Sequence, residues 1–155
     1  MRVLFQTGRL ELVALEAETA RAASQNRKLF TRLIDAETPD AWPLEEMRDA
    51  LPLFETFSEG EAFGGVLIER ATRVVVGDAG FHRTPLAGGD AEIGYSLLET
   101  ARGRGYATEA IQQLLALGWE AGLVTIYARV QPNNGPSHRV LARCGFECEG
   151  ERDGW

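Results

Sequence analysis

The chain has 155 residues, 45% hydrophobic and 25% charged, with a formal net charge of −7. One domain with a real core fits this length and composition. The acidic balance excludes a general nucleic-acid binder, and no apolar run reaches the ~20 residues of a membrane-spanning helix. The opening MRVLFQTGRLELVAL is too short in its apolar part and too charged for a signal peptide, so a cytoplasmic location is expected. Cys144 and Cys148 lie four apart with only His138 nearby, which predicts reduced thiols and no metal site.

In chain order, Arg9 to Leu15 approximates alternation and predicts a first strand. Glu16 to about Ile34 reads as one Ala-rich helix with Leu29, Phe30, Leu33 and Ile34 on a face. TPDAWP breaks the chain, and Pro43 suits the first position of a helix carrying Leu44, Met47, Leu51 and Phe54, with a kink at Pro52. Ala62–Glu69 and Val74–Phe81 form a hairpin through RATR. AEIGYSL (Ala91–Leu97) is a further strand, where Gly94 predicts a bulge or a close backbone approach. RGRGYATEA then opens a helix that Gly122 ends. VTIYARVQ is the next strand, and PNNGP is a loop. Ser137–Cys144 is a helix closed by Gly145, with Phe146 returning to Leu141, and FECEGER begins a last strand. The order is that of one mixed α/β domain.

RGRGYATEA carries the chemistry. A helix N-terminus offers unpaired N–H groups and positive potential, Gly103 and Gly105 expose backbone, and Arg102 and Arg104 add cations. A Walker A ending is absent. A dinucleotide fingerprint would need glycine where Thr108 stands and an acidic residue near VTIYARV. Taken alone, the stretch is equally a glycine-rich turn before a surface helix.

Two motifs in order break that tie. Arg102-x-x-Gly105-x-Ala107 resembles the pyrophosphate-binding motif of the GNAT superfamily of acetyl-CoA-dependent N-acetyltransferases. Pro132-x-Asn134-x-x-Ser137-x-Arg139-Val140-Leu141, followed by Gly145-Phe146, is similar to the Asn-x-x-Ser helix of the RimJ/RimL-like branch, which acetylates ribosomal-protein N-termini. TGRLELVAL and AEIGYSL also fall where that branch has its signature strands. Arg104 stands where the branch commonly has Lys, in a chain with fifteen Arg and one Lys. The chain stops at Trp155, where the family continues through a final strand, so that strand is expected to be short or incomplete.

The resemblance implies a GNAT fold, a central and mostly antiparallel mixed sheet flanked by helices, spanning residues 1–155. It implies acetyl transfer from CoA to a primary amine acceptor, with no metal. Backbone of Tyr95, Ser96, Leu97 and Leu98 would hold the pantetheine arm, beside a bulge at Gly94. Arg102, Gly103, Arg104, Gly105, Tyr106, Ala107 and Thr108 would wrap the pyrophosphate, and Asn134 would contact the arm or order its loop. Glu92 is the expected general base, with Asp78 and Glu109 as weaker alternatives. Ser137 is expected to face the CoA sulfur, and it is equally suited to N-cap its helix. His82 and His138 lie outside the matched positions; His82 could still line the acceptor cleft. Trp42, Phe54 and Phe57 are expected in the core. The competing reading is a GNAT-shaped acyl-CoA-binding or sensor module without turnover, and a third keeps transfer with a longer acyl donor.

Overall fold

The computed structural model describes residues 1–155. Its elements are β1 (Val3–Gln6), β2 (Leu10–Ala14), α1 (Ala17–Gln25), α2 (Arg27–Ile34), α3 (Glu45–Phe54), β3 (Gly64–Glu69), β4 (Val74–Phe81), β5 (Asp90–Leu97), α4 (Tyr106–Glu120), β6 (Thr125–Tyr127) and α5 (Gly135–Arg143). A 3-10 turn, Glu99–Ala101, joins β5 to the cradle loop. The sheet order is β1-β2-β3-β4-β5-β6, antiparallel up to β5 and parallel between β5 and β6. The expected fold class is borne out.

Helices cover both faces, so the central strands are apolar on both sides. All five residues of β2 are buried, and Glu11 among them is satisfied by an ion pair with Arg73. One core gathers Leu10, Leu12, Phe81 and Ile93 under Ile111 and Leu114 of α4. The other gathers Val13, Val66, Ile68 and Val75 under Phe30, Ile34 and Trp42. Trp42 is fully buried, stacked on Phe30 with centroids 5.1 Å apart.

Several expectations are corrected. VLFQ forms β1, which was not expected as a strand; it pairs with β2 through a turn in which Thr7 Oγ1 accepts from the Leu10 N–H at 2.9 Å. The long first helix is two helices. Asn26 leaves the helical region (φ −148°, ψ 87°) and its side chain accepts from the Leu29 N–H, ending α1 and capping α2 together. Pro43 precedes the N-cap Leu44 and so lies outside α3. The β4–β5 register runs through Gly94 without a shift, so there is no bulge there. VTIYARVQ supplies only a three-residue strand. FECEGER forms no strand: the Phe146 N–H is taken by Leu141 O, and Arg152 and Trp155 exchange backbone hydrogen bonds with each other.

The helix endings follow expectation. Gly122 (φ 87°) ends α4, and Gly145 (φ 91°) closes α5 with Phe146 N–H to Leu141 O at 3.0 Å and Gly145 N–H to Ala142 O at 3.1 Å, a full Schellman pair.

Candidate active site

Strand β5 changes neighbours halfway along. Asp90, Ala91 and Glu92 pair with Thr125, Ile126 and Tyr127 of β6, whereas Ile93 to Leu97 pair only with β4. Beyond Glu92 the β6 side of β5 is therefore open. The Leu98 N–H bonds across to Val76 O at 2.9 Å. By antiparallel alternation, Tyr95 and Leu97 then direct their backbone polar groups into the gap, while Ser96 and Leu98 face β4. Half of the expected pantetheine backbone is thus available to a ligand. Arg102 lies at the same edge, its Nε donating to Leu97 O at 3.2 Å.

The gap runs into the cradle. Gly103 and Gly105 both have φ 79°, and Gly105 is the N-cap of α4. Gly103, Arg104, Gly105, Tyr106, Ala107 and Thr108 carry six successive backbone N–H groups with no acceptor in the protein. Four of these, Gly105 to Thr108, follow from beginning a helix; Gly103 and Arg104 add two more, and the left-handed glycines shape the run into a nest that favours an anion. The residues therefore fit a pyrophosphate through backbone.

Two side chains expected there are used elsewhere. Arg104 pairs with Glu69 at 2.9 Å and donates to Thr100 O, and the Tyr106 phenol donates to Glu69 as well. In this structure both side chains are bonded within the protein, and their amides stay free. Sequence reasoning missed Arg9. It bonds Arg104 O at 2.8 Å and Glu109 at 3.0 Å, with its guanidinium 4.5 Å from the Tyr106 ring centroid. Glu109 also accepts from Thr7 at 2.6 Å, so this carboxylate ties the β1–β2 turn to α4 and is not free as a base.

Across the gap, Ser137 is not the helix cap. Asn134 is: its Oδ1 accepts from the Ser137 N–H at 3.3 Å, and Pro136 occupies the first turn. The competing role for Ser137 is thereby removed. Its hydroxyl lies beside the Tyr95 phenol, whose pKa is raised by burial; Ser137 acts in the opposite sense without closing a full hydrogen bond, so Tyr95 Oη is buried and unpartnered. Asn134→Ala is expected to cost about 1 kcal/mol, lowering the melting temperature by about 2–4 °C, with Asn134→Asp restoring it. Circular-dichroism melts check this; an unchanged melt for the alanine variant would remove the cap.

A cavity of about 350 Å³ opens on the other side of β5, lined by Glu46, Met47, Phe54, Phe57, Asp78, His82, Gly94 and Tyr95 among others. Phe54 and Phe57, packed edge to face at 5.6 Å, line it as well as the core, which revises the expectation for them. Asp78 forms part of its floor, accepting from Trp42 Nε1 at 3.0 Å and Ser96 Oγ at 2.8 Å. Burial pushes Asp78 up to about 6 against those two hydrogen bonds, and Glu46 adds to the rise.

Glu92 does not line the cavity but lies beside His82, which does. Arg129 grips it from Nε at 2.8 Å and from Nη2 at 3.1 Å, and His82 Nδ1 lies 3.0 Å from Oε1. Burial pushes the Glu92 carboxyl up, but Arg129 and His82 outweigh it and the net shift is downward. The His82–Glu92–Arg129 cluster escaped the sequence because its members are separated by ten and thirty-seven positions and meet only through the β4–β5–β6 pairing. His138 takes no part in these contacts; its Nε2 lies 3.1 Å from Gln131 O.

A splayed β5–β6 pair beside a glycine-built anion cradle defines an acyl-CoA-binding acyltransferase fold. The chain belongs to the GNAT acetyltransferase family: its acetyltransferase (GNAT) domain model matches residues 9–147. The chain is 36% identical over 109 residues to the uncharacterized N-acetyltransferase p20 of Bacillus licheniformis, a match covering 69% of this chain and 61% of that relative. It superposes on a GNAT-family acetyltransferase from Bacillus anthracis with TM-score 0.64 at 25% identity, covering 96% of this chain and 86% of the other. A similar fold is that of RimL, a ribosomal L7/L12 alpha-N-protein acetyltransferase in complex with coenzyme A, with TM-score 0.62, 23% identity and coverage of 96% and 86%. The expected family is borne out.

Proposed function

We propose that this chain is an acetyl-CoA-dependent N-acetyltransferase that transfers the acetyl group directly to a primary amine. One observation carries the reading: the run of six acceptor-free amides, Gly103 to Thr108, continuous with an unpaired strand edge at Tyr95 and Leu97. The first suits the pyrophosphate and the second an extended pantetheine arm, whose amides would complete the missing strand pairing. CoA supplies a thioester whose carbonyl carbon accepts the amine.

On this chain's side, the backbone positions the arm and the Tyr95–Ser137 pair stands at the gap. A thiol of ordinary pKa about 8.5 leaves largely as thiolate, so a hydroxyl hydrogen bond from Ser137 is a sufficient donor. We place the acceptor in the cavity beside His82 and Gly94. Its aromatic and Met47 lining with the Glu46 and Asp78 carboxylates suits an amine carried next to apolar groups. An N-terminal α-amine, at about 8, asks less of a base than a Lys-like amine at about 10.4. Together with the Asn134-x-x-Ser137 helix, this supports a RimJ/RimL-like acceptor class. No helix is long and apolar enough to cross a membrane, and the free thiols Cys144 and Cys148 suit a reducing, cytoplasmic setting.

Calorimetry with acetyl-CoA, followed by thiol release with an unblocked peptide, spermidine and phenylalanine amide, tests the reading. Micromolar binding with thiol release from at least one amine is expected. Binding without release would replace the enzyme by an acyl-CoA-binding module, and no binding would sink both.

A further inference from the structure

The geometry points to His82, and not Glu92, as the general base, with Glu92 and Arg129 as positioning residues; this rests on the acetyl-transfer reading above. Glu92 is ill suited to take a proton from the acceptor. It lies beside three nitrogen donors from Arg129 and His82, and those interactions favour its ionised form. His82 is differently placed. It immediately follows β4, its backbone N–H bonding Glu92 O at 2.9 Å, so the two residues sit opposite each other across the strands. Glu92 Oε1 lies 3.0 Å from Nδ1, where the carboxylate favours the proton, and a proton there leaves the lone pair on Nε2.

That nitrogen points at the right place. A Cβ built on Gly94 would lie 2.6 Å from His82 Nε2, so the imidazole covers Gly94, the second residue of β5 beyond the last β6 pair. A side chain at this position would push the imidazole aside. Half the His82 side chain remains exposed, open to the cavity that Phe54, Phe57 and Met47 line. Nε2 therefore stands where the acceptor cavity meets the start of the strand gap.

The step balances simply. The acceptor ammonium gives one proton to Nε2, and the freed lone pair attacks the thioester carbonyl carbon, forming the C–N bond. The C–S bond breaks, and its electron pair leaves on sulfur. The second amine proton ends on the CoA thiolate, and the proton on His82 passes to solvent.

Glu92 from β5 is the charged group beside the imidazole; Arg129 after β6 holds Glu92, and Asp78 from β4 and Glu46 from α3 line the same cavity as His82. The test separates them. Imidazole 15N spectra should show His82 as the Nδ1–H tautomer in the intact protein and a tautomer mixture in Glu92→Gln. With the best amine of the three-member panel, His82→Ala should lower kcat/KM at least about 100-fold with acetyl-CoA affinity unchanged. The acid limb of the pH profile should vanish in His82→Gln and persist in Asp78→Asn. Gly94→Ala should displace the imidazole and give the same loss while His82 is present.

An Nε2–H tautomer, or His82→Ala turnover within threefold of the intact enzyme, would overturn the assignment. Thiol release abolished in Glu92→Gln but retained in His82→Ala would return the base to Glu92. Acetyl-CoA binding with no release from any of the three amines would overturn the transfer reading, and the base assignment with it.

Discussion

Gly105→Val is expected to weaken acetyl-CoA binding at least about 100-fold, or ~2.7 kcal/mol, while the chain stays folded. The six cradle amides converge because Gly103 and Gly105 both hold φ 79°. A β-branched residue is a genuine outlier there and drives the backbone out of the left-handed region. Each hydrogen bond to a charged group contributes about 1.5–3 kcal/mol, so misaligning two amides accounts for the loss. The local strain, about 1–3 kcal/mol, is smaller than the stability of an ordinary domain. Gly8→Ala is the control, since its Cβ would meet nothing within 4 Å and its φ is not positive. Calorimetry beside a thermal melt decides the matter. A folded Gly105→Val protein that binds within threefold of the parent would show that the cradle does not hold the pyrophosphate.

Asp78→Asn is expected to stabilise the protein at neutral pH and to do nothing at pH 4. Burial holds this carboxyl at about 6 in the folded state against an ordinary 3.8. The folded chain therefore keeps a proton that the unfolded chain has lost across that window. Stability contributed by the neutral form is present below about 4 and disappears as pH rises through about 6. The displacement corresponds to about 3 kcal/mol. Asparagine removes that dependence and preserves the geometry: its oxygen accepts from Trp42 Nε1, and its amide donates to Ser96 Oγ. The melting temperature at pH 7.5 is expected to rise by about 5–10 °C. Equal gains at pH 4 and 7.5 would show that the carboxyl is not the titrating group, and no gain at either would show that it is not strained.

The cost of ionising Asp78 inside a cavity bounded by Phe54 and Phe57 also bears on function. A carboxylate ionised there at neutral pH has a natural partner in a cationic acceptor, and the same burial that destabilises the fold would strengthen that attraction. The Asn variant is accordingly expected to gain stability and to lose affinity for the amine.

Local chemistry made much of this protein legible before any contact was known. Gly122 and Gly145 ended their helices because left-handed termini select glycine, and Phe146 returned to Leu141 for the same reason. RGRGYATEA opened α4 because glycine and a following Ala-rich apolar face are local signals. The GNAT resemblance rested on these same segments, which is why family and fold followed from them. Weaker local signals failed. Four residues, VLFQ, are too few to show a period, so β1 appeared only once it paired with β2. Asn26 split an expected single helix and Asn134 took the cap expected at Ser137, since a side-chain oxygen competes for whichever N–H the chain brings within reach.

What remained was decided by packing over long separations. The destination of Arg104, at Glu69, depends on β3 lying beside the cradle loop. The gap at Tyr95 and Leu97 exists because β6 leaves β5 after Glu92, a divergence between strands that no single strand encodes. His82, Glu92 and Arg129 come from three different strands or their ends, and nothing in the spacing of one announces the others. Sequence settles which backbone conformations are cheap, and those built the cradle; which side chains meet is a property of strand register, and that alone brought His82, Glu92 and Arg129 together.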